Sequence, residues 1–207
     1  MIRNPQFYTY SLTAAISAAS IYAYIGGSPH VFMEIFRVNE KQYGWIFALI
    51  AMGLIGASQV NSVLLKNYSS EQIIRTGLFC QSIIGAVMML ITFFGWGDLF
   101  IIIFLLFIFL CCQGFIFPNA SALSLASFGH NAGSASALLG AIQMGIGAGT
   151  SALVSVLQNN TALPMTAVMA CCAITALAVF SFGRKIIIRQ ASLEEIEEED
   201  VEMISTL

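Results

Sequence analysis

From Asn131 to Gly183 the chain reads NAGSASALLG AIQMGIGAGT SALVSVLQNN TALPMTAVMA CCAITALAVF SFG, without one Asp, Glu, Lys or Arg. A helix needs roughly 20 apolar residues to cross a hydrocarbon core of about 30 Å. The run is more than twice that long, and it carries its own break. Gln158-Asn159-Asn160-Thr161 is a polar turn, and Pro164 falls where a new helix would start. The reading is therefore two spans, over 133–157 and 163–184.

The same count applied outward finds four more uncharged runs: Asn4 to Gly27 and beyond, Gln42 to Leu65, Thr76 to Gly97, and Leu99 to Gly129. These predict spans over 7–26, 43–65, 74–95 and 99–121. Composition agrees, because 58% hydrophobic residues, 9% charged and a mean hydropathy of +0.85 fit no ordinary water-soluble domain. The first span holds one early Arg and runs too long for a cleavable signal peptide, so it reads as a retained helix. The expected fold is an all-α integral membrane protein, a six-helix bundle over 1–190.

Basic residues orient that bundle. With the amino end inside, the inner segments hold Arg3, Lys66, Arg75, Arg184, Lys185 and Arg189, against Arg37 and Lys41 outside. Both ends are therefore expected in the cytoplasm. Tyr8, Tyr10 and Tyr68 would mark the inner interface, and Tyr22, Tyr24, Tyr43, Trp45 and Trp96 the outer one.

Most connections are short, which makes neighbouring helices antiparallel. In the longer one, Gly26 to Gln42, Ser28 and Pro29 resemble a helix start, and Val31, Phe32, Ile35 and Phe36 repeat at helical spacing. This predicts a short interfacial helix or a kinked extension of the first span, with His30 and Glu34 as solvated loop charges. Beyond Arg189, seven of the eleven acidic residues crowd into Glu194 to Glu202. Such charge density predicts a disordered cytoplasmic tail over 191–207, or at most a transient helix.

Away from their ends the spans contain no Asp, Glu, Lys, Arg or His, and Glu71, Arg75 and Asp98 read as loop charges. The deeper polar groups are amides: Gln59, Asn61, Gln81, Gln113, Asn119 and Gln143. Amides in lipid must pair or face water. Gln113, Asn119 and Gln143, on consecutive spans, are the substrate-cavity candidates, while Asn61, near the end of its span, suits gating or packing. Gly133, Ala137, Ala141, Gly145 and Gly149 recur every four residues, a stripe that would admit another backbone. Pro118 removes a helical hydrogen bond and favours a bend. Cys80, Cys111, Cys112, Cys171 and Cys172 lie within spans as small packing residues, with no disulfide framework or metal spacing. HExxH, paired membrane aspartates and serine-protease settings are all absent from the sequence, so neither a catalytic residue nor an enzyme is expected.

Several blocks carry a family resemblance. Gly27-Ser28-Pro29-His30-Val31-Phe32-Met33-Glu34, Tyr43-Gly44-Trp45-Ile46-Phe47-Ala48-Leu49, Ile116-Phe117-Pro118-Asn119-Ala120, Phe128-Gly129-His130-Asn131-Ala132-Gly133 and Thr161-Ala162-Leu163-Pro164-Met165 resemble the Bcr/CflA drug-resistance transporters of the major facilitator superfamily. The blocks span nearly the whole chain except the acidic tail, yet they resemble only the carboxyl-terminal six-helix half. The resemblance implies a cell inner membrane protein in which spans one, two, four and five line a cavity for small amphipathic compounds. It also implies proton coupling, although the family's protonatable residue lies in the other half.

The expected function is a component or truncated form of a multidrug efflux transporter. Its mate would be a separately encoded amino-terminal half or a second copy. Two other readings stay open: an inactive half-transporter remnant, and a membrane interaction protein whose acidic tail recruits a partner. No cofactor, metal or nucleic acid is expected.

Overall fold

The computed structural model describes residues 5–126, 128 and 132–205, with side chains from 191 onward described only at Ser192. Among the described residues there are six α-helices: α1 (Pro5–Pro29), α2 (Glu40–Leu64), α3 (Ser70–Phe93), α4 (Leu99–Leu125), α5 (Ala132–Leu157) and α6 (Leu163–Ser205). No strand occurs among the described residues. Five helices, α2 to α6, are long and apolar enough to cross a membrane. The exception is α1, which at 25 residues has the length but is rich in Ser, Thr and Tyr.

That composition follows from where α1 sits. It packs on α4, α5 and α6, the most enclosed position in the bundle. Ala14, Ala15, Ala18, Ala19 and Ala23 are all buried, so three neighbours approach its backbone closely. Its hydroxyls are buried too, and several are satisfied within the helix. Thr13 donates to the Thr9 carbonyl at 2.7 Å and Ser20 to the Ser17 carbonyl at 2.6 Å. A hydroxyl bonded back to its own helix can be buried without the cost of a stranded polar group.

Around α1 the helices form two layers. In front stand α5, α1, α4 and α2 in that order; behind, α6 packs on α1 and α3, and α3 packs on α4 and α6. One apolar cluster holds Phe32, Ile50, Leu106, Phe109 and Met169, and a second holds Tyr10, Ile74, Leu78, Ile116 and Phe180. The flanking helices are the most open. Ile55, Val60 and Val63 on α2, and Met144 and Val156 on α5, each expose more than half their surface.

The long connection resolves as the kinked extension. After Pro29 the helix widens into a π-helical segment, His30–Ile35, then turns at Arg37, whose φ is 57°. Ser28 is fully buried and bonds the Tyr43 hydroxyl at 2.9 Å, so it is a tertiary tie rather than a cap. The caps lie elsewhere. Asn39 with Gln42, and Ser69 with Gln72, form reciprocal capping boxes that start α2 and α3. Gly95, at φ 72°, supplies the left-handed residue that ends α3.

Two expectations change. The small-residue stripe Gly133, Ala137, Ala141, Gly145 and Gly149 is exposed, and a methyl group added at any of its glycines would touch nothing within 4 Å. On α5 the glycine that packs is Gly147, lying under the Tyr22 ring. Tyr10 and Tyr24 are buried core residues rather than interfacial ones, whereas Trp45, Trp96 and Tyr68 are exposed as expected. The backbone of α6 runs through the acidic residues to Ser205, a segment for which disorder or at most a transient helix was expected. Glutamate is a good helix former, and extending an existing helix avoids the cost of a new nucleus. Pro118 sits inside α4, which remains one helix across it.

Close packing is tightest where α2 crosses α4. A methyl group at Gly114 would stand 2.5 Å from the Leu54 carbonyl oxygen and 3.1 Å from the Ser58 nitrogen, both backbone atoms that cannot rotate away. Gly114→Ala should therefore lower thermal stability in detergent by about 1–3 kcal/mol. Gly145→Ala should leave it unchanged or slightly higher. Equal melting temperatures for the two variants would refute the crossing.

Candidate functional site

The polar groups at membrane depth form two separate ties. In the first, Gln113 on α4 is fully buried between α1 and α3. Its Oε1 accepts from Gln81 Nε2 at 3.0 Å, and its Nε2 donates to Ser17 Oγ at 2.9 Å. Gln81 also reaches the Phe109 carbonyl at 3.4 Å. The result is a continuous bridge from α3 through α4 to α1. Uncharged amides suit this place because each offers both donor and acceptor without the cost of a buried charge.

The second tie joins α4 to α2. Asn119 donates from Nδ2 to Asn61 Oδ1 at 2.7 Å and to its own Phe115 carbonyl at 2.7 Å. Both asparagines are buried. The bond lies one turn past the Gly114 crossing, so close backbone approach and amide pairing reinforce each other.

These placements revise the cavity expectation. Gln113 and Asn119 have their amides committed to neighbouring helices rather than to open space. Gln143 alone is half-exposed, and it has no hydrogen-bond partner among the described residues. Asn61 accepts from Asn119, a partner the sequence did not name. Pro118 lies between the two ties and leaves the Gly114 carbonyl without its usual helical donor. Gly133, Ala137, Ala141, Gly145 and Gly149 form no part of this network, and His130 lies outside the described residues.

Both ends of the bundle carry charged ties that sequence reasoning assigned to loops. Glu71, in the first turn of α3, accepts the Tyr10 hydroxyl of α1 and the Arg184 Nε of α6, the latter at 3.1 Å. At the opposite end His30 Nδ1 pairs with Glu34 at 2.7 Å, and His30 Nε2 meets the Asn159 carbonyl at 2.9 Å. Helix ends hide such pairs from a count of uncharged runs. The available signal was one acid and one base at matching depth on spans three and six.

The two kinds of amide should respond differently to replacement. Gln113→Leu removes one of two partners of Gln81 and the donor to Ser17 in a buried site and should cost about 1–3 kcal/mol of thermal stability, while Gln143→Leu should fall within about 0.5 kcal/mol of the parent. A double-mutant cycle on Asn61→Ala and Asn119→Ala should give a coupling of about 0.6–2 kcal/mol, and additive effects would contradict the direct bond.

No protein-family model matches the chain. It is 27% identical over 183 residues to the uncharacterized MFS-type transporter YdgK of Bacillus subtilis, covering 88% of this chain and 45% of that protein. It is likewise 27% identical over 173 residues to the bicyclomycin resistance protein homolog of Haemophilus influenzae, covering 84% of this chain and 43% of that one. The chain thus spans about half the length of the curated relatives it matches. The membrane-length helices and these relatives together make it a multi-pass membrane protein, and its likeness to one protein named an MFS-type transporter and another named a bicyclomycin resistance protein homolog bears out the resemblance read from the sequence.

Proposed function

We propose that the chain forms one six-helix half of a drug efflux transporter in the cell inner membrane. In this reading α1 crosses the membrane along with α2 to α6, both ends lie in the cytoplasm, and a second six-helix unit completes the transporter. One observation carries the reading. Similarity runs through nearly all of this chain's helical length yet reaches only 45% and 43% of the two transporter-related proteins. Open faces on α2 and α5 support it, since these flanking helices pack mainly on α4 and α1 and leave apolar side chains and the small-residue stripe uncovered. That stripe gives a second backbone a close approach without further rearrangement.

The residues divide the labour accordingly. Gln143 meets amphipathic substrate with a free amide, while Gln113 and Asn119 hold the helices that form the cavity wall. Coupling to protons needs an ionisable group at depth. Within this chain Glu71 is already committed to Tyr10 and Arg184, so the proton carrier belongs to the completing unit. Alternating access then consists of one six-helix unit rocking against the other around a site near the bilayer midplane.

Dye accumulation in a bacterial host lacking its own major exporters tests the proposal. Expressed by itself, the chain should leave accumulation of a fluorescent amphipathic dye unchanged. Co-expression with the amino-terminal six-helix segment of one of the two relatives should lower accumulation, and collapsing the proton gradient should abolish the effect. Efflux by this chain unaided that persists without a proton gradient would overturn the coupling assignment.

A further inference from the structure

On the back layer, α3 and α6 enclose a groove of ≈ 680 Å³ lined by Gln72, Arg75, Thr76, Phe79, Leu177, Phe180, Ser181, Arg184, Lys185 and Ile188. Its residues are graded by depth. Arg184 and Lys185 lie roughly 30 Å along α6 from its start at Leu163, one hydrocarbon thickness away. Arg75 lies roughly 27 Å from the far end of α3 at Phe93, on the same side. The three cations therefore stand at headgroup level, while Phe79, Leu177 and Phe180 lie one to two turns deeper, at acyl-chain level.

Charge within the groove is unbalanced. Three bases face one acid, because only Glu71 pairs with any of them, holding the Arg184 guanidinium through Nε at 3.1 Å. Glu71 is in turn fixed by the Tyr10 hydroxyl. Among the described residues Arg75 and Lys185 have no ion-pair partner, and both are exposed. The acidic run begins at Glu194, roughly 14 Å farther along α6 than Lys185. That distance exceeds a Debye length of about 8 Å at physiological ionic strength, so the run does not neutralise the groove.

We propose that this groove is a binding site for an anionic phospholipid, with the phosphate held by Arg75 and Lys185 and oriented by Arg184, and the acyl chains laid along Phe79 and Leu177. Basic groups above an apolar floor match a phosphate joined to hydrocarbon, and a free inorganic anion would leave that floor unused. The site lies on helices outside the front layer to which the transport reading assigns substrate. It rests only on the bundle lying in a bilayer.

Native mass spectrometry of the full chain in detergent, with phosphatidylglycerol or phosphatidylcholine added at equal concentration, tests the site. The parent protein should retain one phosphatidylglycerol in preference to phosphatidylcholine. The double variant Arg75→Gln/Lys185→Gln should weaken phosphatidylglycerol retention by about tenfold or more, with phosphatidylcholine unaffected. The control Arg37→Gln/Lys41→Gln, at the opposite end of the bundle, should behave as the parent. Equal retention of the two lipids by the parent would overturn the proposal whatever the variants do. So would displacement of phosphatidylglycerol by millimolar inorganic phosphate, which would mark a site for the anion alone.

Discussion

The packing of this bundle turns on pairing its buried amides across helices where water cannot reach. The Gln81–Gln113–Ser17 bridge is the centre of that pairing, since it joins three helices at once and all three residues are fully buried. Ser17 can serve as its acceptor only because α1 is narrow. A helix built from Ala and Ser lets α4 approach closely enough for an amide on one to reach a hydroxyl on the other. The modest hydropathy of α1 and its central position thus have one cause, which is enclosure by protein rather than contact with lipid.

How much could be read from sequence follows the same division. Counting uncharged residues located every helix, because the cost of a charge in hydrocarbon is large and leaves long gaps in the sequence. The break at Gln158 to Thr161 correctly separated α5 from α6. What the count could not supply was partners. Small residues at every fourth position on α5 have the same appearance as those on α1, yet Gly145 and Gly149 meet nothing and Ala15 and Ala19 are fully buried. Periodicity defines a face and leaves open what covers it.

The amides show the same limit from the other side. Their cost in lipid made Asn61, Gln113 and Asn119 visible as residues needing an answer, but the answer was each other or a neighbouring helix rather than a shared cavity. Glu71, Arg184 and His30 were harder still. Near helix ends a charge is unremarkable, and only the fold brings Glu71 within reach of Tyr10 and Arg184. The two ends of the bundle are consequently fastened by different chemistry, an acid–base clasp between α3 and α6 at one and a histidine bond to the α5–α6 turn at the other.

The α2–α4 crossing also fixes how force moves through the molecule. Most of the packing of α2 is on α4, with the Ser28–Tyr43 bond tying its first turn to the end of α1, so a push on α2 passes chiefly into α4. The Gly114 contact and the Asn61–Asn119 bond, one turn apart along α4, act as two rivets in that path. Two fixed points along a crossing suppress rotation as well as separation.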